Sequence, residues 1–135
     1  RPNSEAAHQL LHTTFAPRKS KRLLLMQFLD CVDRRVGAAA ARLLDPDAVW
    51  RTASPFGDIE GAAEVEAFID NGLPPRKYGP AYARHRLESA ADADDLTVLT
   101  PTGERCRFTL ELANKDGSEL TSPALRSLTR HPLPA

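Results

Sequence analysis

The stretch that decides the fold runs from Ala48 to Pro75 and reads AVWRTASPFGDIEGAAEVEAFIDNGLPP. It opens on an alternating pattern that predicts a short β-strand with Trp50 and Thr52 on one face. A loop containing glycine follows. Residues 61–73 then place apolar side chains at helical spacing until two prolines end the helix. A strand, a loop and an amphipathic helix in this order predict one wall of a pocket for a small molecule.

Helical spacing also marks the chain before this stretch. Residues from Ser20 onward predict a first long helix with an apolar stripe. The stripe consists of Leu25, Phe28, Leu29, Val32 and Val36, and the outer side of the helix is predicted at Asp33, Arg34 and Arg35. An alanine-rich second helix is predicted over 38–44, where Pro46 ends it. Residues 1–19 are expected to form an arm or a short helix.

After Pro75 the apolar period changes to two, which is typical of half-buried strands. Four strands are predicted, at 82–89, 96–100, 105–113 and 120–129. In the third, Cys106, Phe108, Leu110 and Leu112 alternate with Arg107, Thr109 and Glu111. Helices on one face of an antiparallel sheet define an α+β fold. We therefore expect a single domain over 20–130 and a loose tail over 131–135.

The composition excludes several classes of function. Lys plus Arg is 18 and Asp plus Glu is 18, so the net charge is zero and no nucleic-acid partner is indicated. No segment approaches the roughly 20 apolar residues of a membrane span, so we expect no membrane partner and a cytoplasmic protein. The two cysteines, Cys31 and Cys106, lie in apolar surroundings without metal-ligand spacing. We expect no metal and no cofactor.

Five segments together resemble the NTF2-like superfamily, in its SnoaL-like branch. They are LLDPDAVW (43–50), GDIEG (57–61), VEAFI (65–69), YARHRL (82–87) and ERCRFTLELANKDG (104–117). The resemblance rests on the order and spacing of the elements. It implies a cone in which three to four helices pack on the concave face of a curved, mostly antiparallel sheet. It also implies a small apolar ligand in the mouth of the cone and a homodimer formed through the sheet face.

The catalytic residues of the ketosteroid isomerase pattern do not carry over. By ungapped comparison its tyrosine falls on Phe28, its general base on Thr52 and its protonated aspartate near Thr109. Phenylalanine donates no hydrogen bond, and threonine is no base at neutral pH. Steroid isomerisation by that route is therefore not expected.

His85 is the candidate catalytic residue. It shares a predicted strand face with Ala83 and Leu87, so its imidazole is expected to point inward. Histidine titrates near working pH and can exchange a proton with an enol or a hydroxyl. The alternative is a structural histidine that is hydrogen-bonded to a backbone group or to Trp50. Asp30, at the margin of the helical stripe, is a further candidate acid.

The remaining candidates are ligand-binding residues. Trp50 and Phe56 can stack on a planar ligand, Thr52 and Ser54 can orient it, and Tyr78 and Tyr82 flank the entrance. The full predicted ligand-binding set is Phe28, Trp50, Thr52, Ser54, Phe56, Phe68, Tyr78, Tyr82 and Phe108. Several of these aromatic residues are equally compatible with an ordinary core.

Two functions follow from the sequence. The first is a small-molecule enzyme acting on a hydrophobic, oxygenated substrate, such as a polyketide or terpenoid intermediate. It would catalyse isomerisation, cyclisation or dehydration by proton transfer without a cofactor, with His85 as acid or base. The second is a non-catalytic ligand-binding or dimerisation module with the same fold. The missing isomerase acids support the second.

Overall fold

The computed structural model describes residues 21–53, 56–73, 84–88, 96–114 and 123–134. Helix α1 occupies 21–34, and a short helix α2 spans Gly37–Ala41. Strands β1 (Leu44–Arg51) and β2 (Asp58–Glu60) follow, and then helix α3 (Ala62–Ala67), which continues as a π-helical turn (Phe68–Gly72). The remaining elements are strands β3 (Arg86–Leu87), β4 (Leu96–Leu99), β5 (Arg105–Asn114) and β6 (Pro123–Pro132).

The six strands form one mixed sheet in the order β2-β1-β6-β5-β4-β3. Strands β3 to β6 make an antiparallel meander, as the sequence predicts. Strand β1 also pairs antiparallel with β2. Strand β1 lies parallel to β6, with Trp50 opposite Leu128. The fold is therefore α+β with a mostly antiparallel sheet. Parallel neighbours need a long connection, and β1 and β6 have one, because β2, α3 and the strands β3 to β5 lie between them in the chain.

One face of the sheet packs against the helices. Its buried side chains include Cys106, Phe108 and Leu110, whereas Arg107, Thr109 and Glu111 are exposed, so the predicted alternation of β5 is confirmed. Helix α1 buries Leu24, Leu25, Phe28, Leu29 and Val32 in the same cluster. The candidate site is built where this helix meets the sheet.

Helix α1 ends earlier than its apolar stripe predicts. Arg35 takes a left-handed conformation with φ 60°, and the Val36 amide donates to the Cys31 carbonyl at 2.9 Å. These are the features of a Schellman ending, which satisfies the last helical carbonyls. Val36 therefore lies outside the helix and is exposed, contrary to its predicted place in the stripe.

Strand β1 begins at Leu44, whereas the sequence predicts helix up to residue 44 and a strand from 48. Pro46 lies inside this strand. The pairing of β1 with β6 shifts register between Leu44 and Val49, so the ladder is interrupted where the proline lies. Proline is tolerated in strands at such irregular points because no ladder hydrogen bond is required from it.

The predicted helix over 61–73 is only partly α-helical. After Ala67 it widens into the π-helical turn, and Gly72 packs beneath the ring of Phe68, where a Cβ atom would clash with that ring. The last strand reaches Pro132, so it includes the first two residues of the segment expected as a tail. None of the helices in the described ranges has the length and apolar character needed to cross a membrane.

Candidate active site

Asp33 and His85 form the most chemically specific contact among the described residues. The His85 Nδ1 lies 2.6 Å from Asp33 Oδ1, and the His85 backbone amide donates to Asp33 Oδ2 at 2.8 Å. The side chain of Asp33 is 5% exposed and that of His85 is 17% exposed. Both carboxylate oxygens contact the same residue, so one contact orients the imidazole and the other holds the backbone that carries it.

Helix geometry explains how Asp33 reaches this position. It follows Leu25 and Leu29 at intervals of four, so it lies on the buried face of α1. The prediction that Asp33 marks the outer side is wrong. The signal that would have found it is present in the sequence, because the spacing 25, 29, 33 is that of a helical stripe. Asp33 was not assigned to this stripe because its side chain is polar.

His85 is held just before β3. Arg86 pairs with Leu99, and the Glu88 amide donates to the Thr97 carbonyl at 2.8 Å, so β4 sets the position of this segment. The expectation of an inward His85 agrees with its low exposure. Its partner is a carboxylate rather than a backbone group or Trp50.

Burial of the Asp33 carboxylate at this position costs free energy. The carboxylate is buried in the last turn of α1, where the helix dipole presents its negative end. Hydrogen bonds from His85 offset part of that cost. When Asp33 is ionised, Nδ1 of His85 carries the proton and donates it, which leaves the lone pair on Nε2. This is the tautomer that a general base requires.

Four aromatic rings form a row that leads from the surface to the interior. Phe56 is 45% exposed and contacts Phe68 at 5.1 Å between ring centroids; Phe68 contacts Trp50 at 5.6 Å, and Trp50 contacts Phe28 at 5.1 Å. All three contacts are edge-to-face. Phe28 is fully buried, so the row ends against α1, the helix that also carries Asp33.

Two polar groups at the end of β1, Trp50 in the strand and Thr52 just after it, differ in their hydrogen bonding. The Thr52 hydroxyl donates toward the Gly57 carbonyl at 2.7 Å and also lies 3.0 Å from the Ala53 carbonyl, so its proton is used by its own loop. The Trp50 Nε1 is buried and, within the described part of the chain, has no hydrogen-bond partner.

Other predicted residues lie elsewhere. Phe108 is buried on the inner face of β5. Ser54, Tyr78 and Tyr82 lie outside the described residues. Asp30 is partly exposed and pairs with Arg34 at 3.1 Å, so it is not the acid of this site.

Thr109, where the isomerase pattern places an oxyanion-binding acid, lies on the outer sheet face. Its hydroxyl is 2.9 Å from His131 Nε2. That position therefore cannot contribute to an interior site.

A surface groove of about 600 Å³ lies beside Phe68, the second ring of the aromatic row. Phe68 forms part of its wall, together with the carboxylate-bearing residues Asp58, Glu60 and Glu64. Asp58 is paired with Arg51 at 3.9 Å. The groove is open to solvent, and Phe68 stands between it and Trp50.

The fold has many counterparts among solved structures. An NTF2-like protein with a cystatin-like fold from Novosphingobium aromaticivorans is 16% identical, with a TM-score of 0.60 and coverage of 98% of this chain and 89% of that one. The hexachlorocyclohexane dehydrochlorinase LinA-type3 from Novosphingobium barchaimii LL02 is 20% identical, with a TM-score of 0.56 and coverage of 89% and 88%. ActVI-ORFA from Streptomyces coelicolor is 16% identical, with a TM-score of 0.54 and coverage of 84% and 95%.

No protein-family model matches the chain, and no curated protein matches it. The structural likeness extends over most of each compared chain, at sequence identities that show a common fold and nothing finer. Element order, sheet topology and these counterparts agree with the resemblance found in the sequence. The chain has the NTF2-like, cystatin-like fold.

Proposed function

We propose that this protein is an enzyme in which His85 acts as a general base and Asp33 orients it. The observation that carries the proposal is the double contact between Asp33 and His85, at 2.6 and 2.8 Å. A buried carboxylate bonded to Nδ1 holds the imidazole in one tautomer and stabilises the imidazolium that forms when Nε2 takes a proton. Asp33 is thus a positioning residue, and His85 is the catalytic residue.

The reaction class follows from this arrangement. His85 Nε2 removes a proton from a carbon atom of the substrate, and the electron pair of that C–H bond forms a carbon–carbon double bond. In a dehydration, the hydroxyl on the neighbouring carbon leaves and takes the proton back from the imidazolium as water. In an isomerisation, the π pair of the neighbouring carbonyl moves onto its oxygen to give an enolate, and this pair returns as the imidazolium delivers the proton to a different carbon. Each sequence balances without a redox partner, as the expected cofactor-free chemistry requires.

Some structures of the same fold support this class of reaction. Two of the compared structures are dehydrochlorinases of hexachlorocyclohexane. Dehydrochlorination removes hydrogen and chloride from neighbouring carbons, so it too begins with a base acting on a C–H bond. The fold is therefore compatible with base-promoted elimination from a small hydrophobic molecule.

The surroundings favour a hydrophobic substrate. Phe28, Leu29 and Val32 precede Asp33 on α1 and are buried, and the Trp50 ring packs against Phe28. A polyketide- or terpenoid-like intermediate with an oxygen function is the substrate type that we propose.

The test is deuterium incorporation into a panel of cyclic ketones and β-hydroxy ketones in D₂O, followed by mass spectrometry. Wild-type protein is expected to accelerate exchange or water loss, and His85→Ala is expected to abolish it. His131→Ala is the matched control, because His131 is exposed on the outer sheet face. Equal rates for wild type and His85→Ala would contradict the proposal.

The second candidate is a non-catalytic module that binds a ligand or dimerises through the sheet. Its main support is that the isomerase acids are missing. The polar outer face of β5 and β6, where Ser127 donates to Glu111 at 2.8 Å and Thr109 contacts His131, suits a wet interface as well as plain solvent. Sedimentation at micromolar concentration tests the homodimer, and a clean monomer would exclude it. Recovery of ligands unchanged, with no deuterium gained, would favour the module.

A further inference from the structure

The indole N–H of Trp50 is a buried donor that the described protein does not satisfy. Trp50 is 7% exposed, its ring packs edge-to-face against Phe28 and Phe68, and its Nε1 has no acceptor among the described residues. Most buried polar side-chain atoms have a partner, so an orphan requires a specific reason, such as a molecule that binds there. Tryptophan is a donor only, so that molecule must bring an acceptor atom.

Other inner-face polar groups near Trp50 are already bonded. The Thr52 hydroxyl donates to its own loop. Arg130 is opposite Phe108 and so shares the inner face, but its Nη2 lies 3.4 Å from a Glu104 carboxylate oxygen. Within the described ranges, the Trp50 Nε1 is the buried side-chain polar atom that has no hydrogen-bond partner.

Helix α1 relates this donor to the candidate base. Trp50 packs on Phe28, and His85 is bonded to Asp33, five residues later. Five residues correspond to a rise of about 7.5 Å along an α-helix. The two helix residues that contact Trp50 and His85 therefore lie within two turns of each other, so both groups belong to the same region of the helix–sheet interface.

We propose that the Trp50 Nε1–H donates a hydrogen bond to an oxygen of the substrate and selects cyclic ketones over hydrocarbons of the same shape. The assignment of this ligand as substrate rests on the proposed function. Trp50 holds the carbonyl oxygen, and the carbon next to the carbonyl, which carries the acidic proton, faces His85. Specificity of this kind comes from a desolvated donor that only the oxygenated molecule satisfies.

The first test uses wild-type protein, because Trp50 is its single tryptophan. A ¹⁵N-labelled sample therefore gives one indole N–H resonance. Titration with 1-tetralone is expected to move this resonance downfield, in the direction of a new hydrogen bond. Titration with 1-methylidenetetralin, which has =CH₂ in place of the carbonyl oxygen, is expected to leave it without that shift. Equal responses to both compounds, or no binding of either up to its solubility limit, would overturn the proposal.

The second test compares affinities for the same two compounds by calorimetry. Trp50→Phe keeps a ring but removes the donor, so the ketone-to-hydrocarbon affinity ratio is expected to fall about 2- to 12-fold. Phe68→Leu is the control, because it removes a ring contact to Trp50 and keeps the N–H. It is expected to weaken both compounds and to preserve their ratio. An unchanged ratio in Trp50→Phe would overturn the proposal.

His85→Ala separates this inference from the proposed function, since the donor does not depend on the base. The affinity ratio is expected to survive in that variant while deuterium incorporation is lost. Loss of incorporation with no effect of Trp50 on the ratio would leave the proposed function standing and remove only the role of Trp50. An affinity ratio that depends on Trp50, together with deuterium incorporation that is unchanged in His85→Ala, would support the role of Trp50 and contradict the proposed function.

Discussion

Asp33 and His85 are 52 positions apart in the chain, and both oxygens of the Asp33 carboxylate contact His85. One contact involves the imidazole and the other the backbone amide. The carboxylate therefore fixes the ring and also the segment that precedes β3. A residue with this double role should affect both catalysis and local order, and substitutions can separate the two.

Asp33→Asn is expected to lower turnover by a factor of up to about 10⁴, the loss that follows when a catalytic histidine loses the carboxylate that orients it. The amide keeps the size of the carboxylate, but it no longer stabilises an imidazolium. Initial rates on any substrate found by deuterium incorporation measure the effect, with a thermal melt to show folding. Asp30→Asn is the control, since Asp30 pairs with Arg34 at the surface. Comparable losses in both variants would contradict a specific role for Asp33.

Ala53→Gly is expected to stabilise the protein. Ala53 has φ 67°, and a left-handed conformation costs an L-residue about 1–2 kcal/mol, of which the greater unfolded-state freedom of glycine cancels about half. Urea unfolding should show a gain of about 0.5–1 kcal/mol. The same exchange in helix α3, Ala62→Gly, should cost about 1 kcal/mol. A loss at both positions would show that the loop does not hold Ala53 in this conformation.

Gly37→Ala is expected to destabilise the protein by about 1–3 kcal/mol, as overpacking commonly does. A Cβ atom there would clash with the Glu66 carbonyl and with the Asp70 carboxylate, which accepts a hydrogen bond from the Gly37 amide at 2.8 Å. Denaturant midpoints measure the change. Ala38→Ser, at an exposed position in the same helix, should change them little. A neutral result at Gly37 would mean that α2 and the π-helical turn can separate at low cost.

Cys31 and Cys106 are expected to react slowly with a thiol reagent at neutral pH. Burial raises the pKa of both thiols, so little thiolate is present. Cys106 is fully buried and should react only on unfolding, whereas Cys31 is partly exposed and should react first. Absorbance with Ellman's reagent counts them, and Cys31→Ser and Cys106→Ser assign the phases. Rapid reaction of both thiols would contradict the packing around them.

The same thiols predict a direction of pH dependence. The folded protein favours the neutral thiols, because their pKa values are raised on folding. Their contribution to the free energy of unfolding is therefore fully present below the unfolded-state pKa and is lost as pH rises through the folded-state pKa. Wild type and Cys106→Ser, unfolded in urea at several alkaline pH values, provide the comparison. A steeper decline in Cys106→Ser than in wild type would reverse the predicted sign.

The face alternation of β5 could be predicted because burial repeats every second residue, and Cys106, Phe108 and Leu110 obey that rule. The parallel pairing of β1 with β6 could not, because periodicity shows which face is buried and not which strand is the neighbour. The order of the elements, which resembles that of the NTF2-like superfamily, was enough to predict the fold without the pairing of β1 with β6.

The sequence predicted one of the two residues that form the central contact of the candidate site. His85 has apolar neighbours two positions away along its strand, and this pattern indicated an inward side chain. Asp33 was assigned to the outer side, because an acidic residue normally marks the solvated face of a helix. The helical spacing indicates that Asp33 lies on the buried face, but its partner is 52 residues away, and no local pattern identifies that partner. The indole of Trp50 was predicted as a stacking surface, and its unsatisfied nitrogen becomes visible only in three dimensions.

Helix α1 sets a constraint on the chain that goes beyond packing. Leu25, Leu29 and Asp33 occupy successive turns, so deleting one residue between Leu29 and Asp33 would rotate the carboxylate by about 100° away from His85. Most single-residue deletions in a helix shift a hydrophobic stripe that other apolar residues can partly restore. Here the displaced group is a charge with one correct orientation. The spacing of this helix should therefore tolerate substitution far better than any change of length.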